Sequence, residues 1–362
     1  MKALVTGATG FLGSHIVDAA VAVGDEVRAI VRPSSELGYL STVPELETVA
    51  GDLGDYESLV TACKGIDVVY HSAGLVAEVG SRAQFWDANV EGTRRLMQAA
   101  REAGVGRFVF VSSPSVATSY DTDRFGIDES EPYVTAPKSL YVETKAAAEQ
   151  LVLASNTADF VTCALRPRMI WGPRSSGWMT LLLRKLRSGK LPDLSGGKKV
   201  MVSITYCEHA AQACLQAARS DRVAGNAYFL ADPEDVDLWK FVEDLAVALD
   251  LTPPTRTIPK PVFDAAIAVF DTIWRVPAIK ERYAPPLSSW TTAALTVSST
   301  YDISAAARDF GYSPTVSLAD GLAAYVDWVG QIGGVDAVID RGRPMADATH
   351  SNESRCTPRR FE

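Results

Sequence analysis

Met1-Lys2-Ala3-Leu4-Val5-Thr6-Gly7-Ala8-Thr9-Gly10-Phe11-Leu12-Gly13 is a short apolar segment that runs straight into three evenly spaced glycines. The stretch that follows, residues 14–23, is amphipathic and reads as a helix. In a strand–turn–helix context each glycine has a task. Gly7 allows the tight turn, Gly10 lets backbone approach phosphates, and Gly13 lets the helix pack closely on the strand. Backbone N–H groups at the helix start, reinforced by its dipole, then face a pyrophosphate. The opening stretch therefore predicts a nucleotide-binding α/β fold.

Working outward, strand-like and helix-like segments alternate. Residues 27–31, 46–50, 68–71, 107–112 and 160–165 read as further strands, and 56–64, 89–102 and 140–154 as helices. Such alternation builds a doubly wound parallel sheet of the Rossmann type. After Pro173 the pattern changes: 178–188 reads as a helix, and 190–199 is rich in Gly, Ser, Lys and Pro. We expect residues 1–173 to form the dinucleotide-binding domain, with 200–230 returning to it. Residues 174–330 are expected to supply most of a smaller, interleaved C-terminal substrate lobe. Beyond about Gln331 the chain is polar without aliphatic periodicity, which predicts a disordered tail over 331–362.

The 362 residues are 47% hydrophobic, enough for a large core, and carry a formal charge of −9. That charge argues against a nucleic-acid partner, which calls for a basic face. Five scattered cysteines and four unpaired histidines offer no metal-binding spacing and suit reduced thiols in a cytoplasmic protein. No metal is expected.

Tyr141 and Lys145 lie four apart on a predicted helix, so their side chains share a face. Free tyrosine, with a pKa of about 10, is a poor acid or base near neutrality, and a neighbouring ammonium favours its phenolate. Such a pair can exchange a proton with a substrate oxygen during hydride transfer. The run Phe108-Val109-Phe110-Val111-Ser112-Ser113 places Ser113 at the carboxyl end of a strand, where ligands sit in parallel sheets. There its hydroxyl is expected to hold a carbonyl oxygen beside Tyr141, while Ser112 reads as a cap.

With glycine turn, strand-end serine and YxxxK in this order, the chain resembles the extended short-chain dehydrogenases/reductases, and within them the 3β-hydroxysteroid dehydrogenase group. Gly51-Asp52-Leu53, His71-Ser72-Ala73-Gly74, Asn89-Val90-Glu91-Gly92-Thr93 and Leu165-Arg166-Pro167-Arg168-Met169-Ile170-Trp171-Gly172-Pro173 are similar to further family segments. So are Asp309-Phe310-Gly311-Tyr312-Ser313-Pro314 and Asp320-Gly321-Leu322. The resemblance implies catalysis by Ser113, Tyr141 and Lys145. It implies cofactor contacts from Gly7, Thr9, Gly10, Phe11, Leu12, Gly13, Asp52, Leu53, Ser72, Ala73, Gly74, Asn89, Pro167 and Ile170, together with Tyr141 and Lys145. It also implies a homodimer through the helices at 89–102 and 140–154. Val142 and Thr144 around the tyrosine, and Pro167-Arg168-Met169 after LR, depart from the nucleotide-sugar epimerases. The segments at 113–116, 141–146 and 165–173 most resemble 2-alkyl-3-oxoalkanoate reductases, then sterol-4-carboxylate 3-dehydrogenases. Both relatives act β to a carboxylate in a large apolar molecule.

Cofactor choice turns on the end of the second strand. An acidic residue there would hydrogen-bond the ribose of NAD, but this chain has Val31-Arg32-Pro33-Ser34-Ser35. Arg32 suits a 2′-phosphate, so NADP(H) is expected over NAD(H). Residues 261–276 are strongly apolar and would as a helix line a lipid pocket, rest on a membrane surface or pack in the core. Arg168, Arg174 and Lys198 are candidates for gripping a substrate carboxylate.

Overall fold

The computed structural model describes residues 1–77, 80–258 and 289–341, together with 261, 262, 265, 269, 272 and 273. Seven strands make the main sheet: β1 (Lys2–Thr6), β2 (Glu26–Val31), β3 (Glu47–Ala50), β4 (Val68–His71), β5 (Arg107–Val111), β6 (Val161–Pro167) and β7 (Ala227–Leu230). Their order is β7-β6-β5-β4-β1-β2-β3, and every pairing is parallel. The order reverses between β1 and β4, which opens a crevice at their carboxyl ends. Helices α1 (Phe11–Ala22), α2 (Tyr56–Cys63), α3 (Gly92–Glu102) and α4 (Leu140–Ala154) fall between the first six strands. They are followed by α5 (Trp178–Arg187), α6 (Cys207–Ala218), α7 (Leu238–Ala248), α8 (Leu318–Gln331) and α9 (Val335–Arg341).

Strand side chains alternate between two cores, as period-two geometry requires. Ala3, Val5, Ala29, Val31, Val109 and Leu165 point to the face covered by α1 and α6. Leu4, Ile30, Val69, Phe108, Phe110 and Ala164 point to the face covered by α2, α3 and α4. A third core binds the C-terminal lobe: Trp171, Leu183, Tyr206, Phe241, Leu245 and Tyr325 pack between α5, α7 and α8. Beside it lies a sheet of four short strands, Val236–Asp237, Met201–Val202, Ser299–Tyr301 and Arg124–Ile127. Residues 207–230 then return to the main sheet as α6 and β7, so the two lobes interleave.

The expectation of a disordered tail from about Gln331 is corrected for its first residues. Helix α9 docks on α5, burying Val338 and Ile339, with Asp336 paired to Arg187. Its buried anchors, Val338 and Ile339, are consecutive and too few to register as periodicity. Residues 342–362 lie outside the described residues. So do most of 261–276, although Val262, Val269 and Ile273 within that segment are exposed.

Candidate active site

The glycine turn is built by contact distances. Gly7 sits at φ 70°, and a Cβ there would lie 2.8 Å from the Ala73 nitrogen on the neighbouring strand end. A Cβ on Gly13 would stand 2.0 Å from the Gly7 carbonyl oxygen, so α1 reaches the strand only because that position has no side chain. Gly10 is the α1 N-cap, with φ −84°, no side-chain cap and no acidic residue in the first turn. Thr9 and Gly10 are exposed, Phe11 is half-buried and Leu12 is buried. The helix terminus is thus left electropositive and open to an anion.

Opposite the turn, a chain of hydrogen bonds sets the loop after β4. The Thr93 hydroxyl gives its proton to the Asn89 carbonyl at 2.7 Å, so it can only accept from His71 Nε2 at 2.9 Å. His71 Nδ1 then accepts from the Thr6 hydroxyl at 2.7 Å, whose oxygen in turn accepts from the Ala73 N–H. Burial, with Lys145 nearby, pushes the His71 pKa down to about 3, which keeps the ring neutral as this relay demands. Ser72 donates to the Thr6 carbonyl at 2.8 Å. Asn89 accepts from the Leu75 N–H at 2.6 Å and donates to the Leu75 carbonyl and to Thr144 on α4. The Asn89 side chain therefore acts in this structure as a clamp joining the 72–75 loop to α4.

Ser113, Tyr141 and Lys145 meet at the carboxyl end of β5. Ser113 lies near enough to the Tyr141 phenol to pull its pKa down, and Ser113 Oγ lies 2.9 Å from Ser115 Oγ. Burial raises the Tyr141 pKa to about 12, against the pull of Ser113. Lys145 is buried, donates to the Val111 carbonyl at 2.8 Å and lies 4.5 Å above the Phe110 ring. Its pKa falls to about 8 through burial, with Glu149 opposing the fall. Desolvation is the largest influence on the phenol and sets its net shift upward. The cap assigned to Ser112 is also corrected. Ser113 is the N-cap of the short helix Pro114–Val116, whereas Ser112 Oγ is buried without a partner.

Glu149, one turn beyond Lys145, was missed as part of the site, although its i+4 spacing carried the signal. It forms a buried ion pair with Arg166, at 2.5 Å from Nη2, and accepts from the Tyr133 hydroxyl at 2.7 Å. Tyr120 was also missed. It is buried at φ 55°, a conformation that sequence spacing does not signal.

The remaining predicted cofactor residues lie at or shortly beyond the carboxyl ends of β2, β3, β4 and β6. Asp52 accepts from the Gly54 N–H at 2.7 Å, Leu53 packs where a Cβ on Gly92 would stand 2.9 Å away, and Arg32 is exposed after β2. Gly74 is exposed, and a Cβ there would lie 3.4 Å from Lys145 Nζ. Pro167 ends β6 beside Leu230, and Ile170 pairs with Thr205. An uncapped helix start, glycines where backbone must come close, and the orphaned Ser112 hydroxyl fit a dinucleotide laid across β1 and β4. Among the described residues no cluster of three or more His, Cys, Asp or Glu could hold a metal ion, and no helix is long and apolar enough to cross a membrane.

Residues 4–260 match the 3-beta hydroxysteroid dehydrogenase/isomerase family. A 2-alkyl-3-oxoalkanoate reductase of Stenotrophomonas maltophilia is 34% identical over 333 residues, covering 89% of this chain and 97% of the relative. A 3-beta-hydroxysteroid dehydrogenase of Mycolicibacterium neoaurum is 30% identical, covering 96% of each chain. Among solved structures, gox2253 superposes with a TM-score of 0.74 at 26% identity, covering 92% of this chain and 98% of that one. A double mutant of DesIV, a dTDP-glucose 4,6-dehydratase from Streptomyces venezuelae with NAD and DAU bound, gives a TM-score of 0.70 at 25% identity, covering 91% and 97%.

Proposed function

This chain belongs to the 3-beta hydroxysteroid dehydrogenase/isomerase family and is a nicotinamide-dinucleotide-dependent oxidoreductase acting on CH–OH groups, and from that premise we propose its finer chemistry. The proposed reaction is NADP(H)-dependent interconversion of a ketone and a secondary alcohol, β to a carboxylate, in a large hydrophobic substrate. The observation that carries it is the convergence of Ser113, at the carboxyl end of β5, on the Tyr141 phenol, with buried Lys145 one helical turn away. The similarity to a 2-alkyl-3-oxoalkanoate reductase over nearly the whole chain supports the substrate class.

The 7–13 turn, Asp52, Leu53, the 72–74 loop, Pro167 and Ile170 would hold the dinucleotide, which when bound supplies the hydride for the carbonyl carbon. Tyr141 delivers the proton. Its pKa of about 12 keeps it protonated at neutral pH, as a donor must be. Ser113 holds the carbonyl oxygen against Tyr141. Lys145 faces the phenolate that proton transfer leaves behind, and Glu149 sustains the ammonium in its buried position. Arg32, free of an acidic neighbour until Glu36, supports NADP(H) through a charge-assisted contact to the 2′-phosphate.

The test supplies purified protein with a long-chain 2-alkyl-3-oxo acid and either NADPH or NADH. NADPH oxidation is expected, with Tyr141→Phe lowering turnover by about 10²–10⁴-fold, the range of general acid catalysis, and leaving NADPH affinity nearly unchanged. An unimpaired phenylalanine variant sinks the mechanism. Turnover of a 3β-hydroxysteroid 4-carboxylate alone keeps the mechanism and moves the substrate.

The same reading includes a cytoplasmic homodimer built through α3 and α4. It also includes peripheral contact with lipid by the segment whose Val262, Val269 and Ile273 are exposed. Sedimentation with and without liposomes checks both: a monomer that stays out of the lipid pellet removes them.

A further inference from the structure

Among the three basic residues that a substrate acid could have engaged, the structure separates one. Lys198 is paired with Asp123 at 2.9 Å, and Arg174 is bound to Asp18 at 2.6 Å and to His15 at 2.8 Å. Arg168 has no carboxylate partner among the described residues. It is 5% exposed, its Nε is buried without a hydrogen-bond partner, and its guanidinium makes one long hydrogen bond, from Nη2 to Ser299 Oγ at 3.4 Å. The adjacent arginine of the same strand end, Arg166, shows how this fold neutralises a buried guanidinium when no ligand is due. It pairs with fully buried Glu149.

The position of Arg168 is as informative as its lack of a partner. Val111 pairs with Leu165, so one strand spacing further on Ser113 is level with Pro167, and Arg168 is the next residue beyond it. Arg168 thus leaves β6 at the carboxyl edge from which Ser113 leaves β5. Its backbone is held there by the Leu230 carbonyl and by Thr205 Oγ1, at 3.2 and 3.0 Å. The guanidinium lies 4.8 Å over the ring of Tyr120, and Tyr120 is near enough to Tyr141 to disfavour its phenolate. Tyr120 occupies the left-handed region, a strained conformation for a tyrosine of the kind that accumulates at ligand sites. The Tyr120 hydroxyl meets that of Tyr301 at 3.4 Å, and Tyr301 donates to Thr118 at 3.0 Å, so the platform is fixed by its own network.

Burying a permanent cation without a counter-charge is costly, and a planar fork with free N–H groups is shaped for a carboxylate. We propose that Arg168, stacked on Tyr120 next to the Ser113–Tyr141 pair, is the subsite that binds the carboxylate of the substrate and so selects acids over neutral ketones. This rests on the oxidoreductase reading for the substrate class, but the binding it describes is separable from turnover.

The test measures binding of myristate and of tetradecan-1-ol to the protein saturated with NADP+, in the wild type, Arg168→Met and Arg168→Lys. Wild type is expected to bind the acid at least tenfold more tightly than the alcohol. R168M should lose that preference while keeping alcohol affinity and thermal midpoint, and R168K, which retains charge without the fork, should keep part of it. In parallel, kcat/KM for a 2-alkyl-3-oxo acid should fall about 100-fold in R168M, with that for its methyl ester within threefold of wild type. Equal affinity of the wild type for acid and alcohol overturns the subsite, as does a matched loss for both ligands in R168M and R168K. A preference lost in R168M, with no oxo-acid turnover by the wild type, upholds the subsite and sinks the reductase reading.

Discussion

At the scale of single residues, the proposed acid and the cation beside it are set far apart in pKa. Tyr141 at about 12 and Lys145 at about 8 are both displaced by burial, the phenol upward and the ammonium downward, because desolvation disfavours whichever form is charged. Across the accessible pH range the group that changes state is therefore Lys145. Below about pH 8 it is protonated and can stabilise negative charge on Tyr141; above that the charge is lost while Tyr141 still holds its proton. Ketone reduction is expected to be flat toward neutral pH and to decline above about pH 8, with the limb absent from the residual activity of Lys145→Met. A wild-type profile unchanged up to pH 10 would assign Lys145 a purely structural part. Arg32, Ser113, Tyr141 and Lys145 are chemically distinctive enough to be singled out from the chain alone. The Ser112 and Ser113 roles needed coordinates, since two adjacent serines at a strand end offer the same chemistry and only the backbone direction decides which one caps the next turn.

Elements were legible where they are long or buried on a repeating face. The residues 68–71 and 140–154 match β4 and α4 end to end, and the other main-sheet strands before residue 170 begin or stop within two residues of their reading. The helix expected at 89–102 begins earlier, at Arg82: Arg82–Trp86 is α-helical, Asp87–Glu91 is a π-helical turn whose Asn89 reaches the 72–75 loop, and α3 continues from Gly92. Edge strand β7 and the two- to four-residue strands of the small sheet had no legible pattern; segments so short show no periodicity, and distant pairing alone creates them. The glycine turn allows a test at this scale. Gly13→Ala forces a Cβ to within 2.0 Å of the Gly7 oxygen, where only backbone could yield. It should destabilise the chain by about 3 kcal/mol or more, the upper range for overpacking. Gly10→Ala meets the same oxygen at 3.1 Å with an ordinary φ of −84°. It should keep the thermal midpoint within about 2 °C, under 1 kcal/mol, yet weaken dinucleotide binding if the proposed close approach of phosphate to the exposed α1 N-cap holds. Equal thermal losses in the two variants would place the crowding elsewhere.

Over the whole molecule, the division of labour follows the cores. The glycine turn is anchored by Ala8 and Leu12 in one core of the main sheet, with Phe11 packed against the lobe core, whereas the C-terminal lobe is assembled from segments scattered between Trp171 and Ile339 around that core of its own. Helix α9 is the last piece of that lobe and the part that composition concealed. Its contribution comes from Val338 and Ile339, each worth about 1.5–3 kcal/mol when buried. The Arg187–Asp336 pair is exposed on both sides and adds little. Ending the chain after Gly334 should therefore cost about 4 kcal/mol within the lobe and lower its thermal midpoint by about 8–16 °C. Dinucleotide affinity at 25 °C should stay within about twofold, because Ala8 and Leu12 hold the 7–13 turn in the main-sheet core and only Phe11 packs against the core that α9 completes. Thermal unfolding followed by tryptophan fluorescence reports the lobe directly, since Trp171, Trp178, Trp239 and Trp328 all pack in or against its core. A truncated chain whose dinucleotide affinity collapses along with the lobe would mean that the cores fold as one unit. An unchanged midpoint would show that α9 rests on the lobe without holding it.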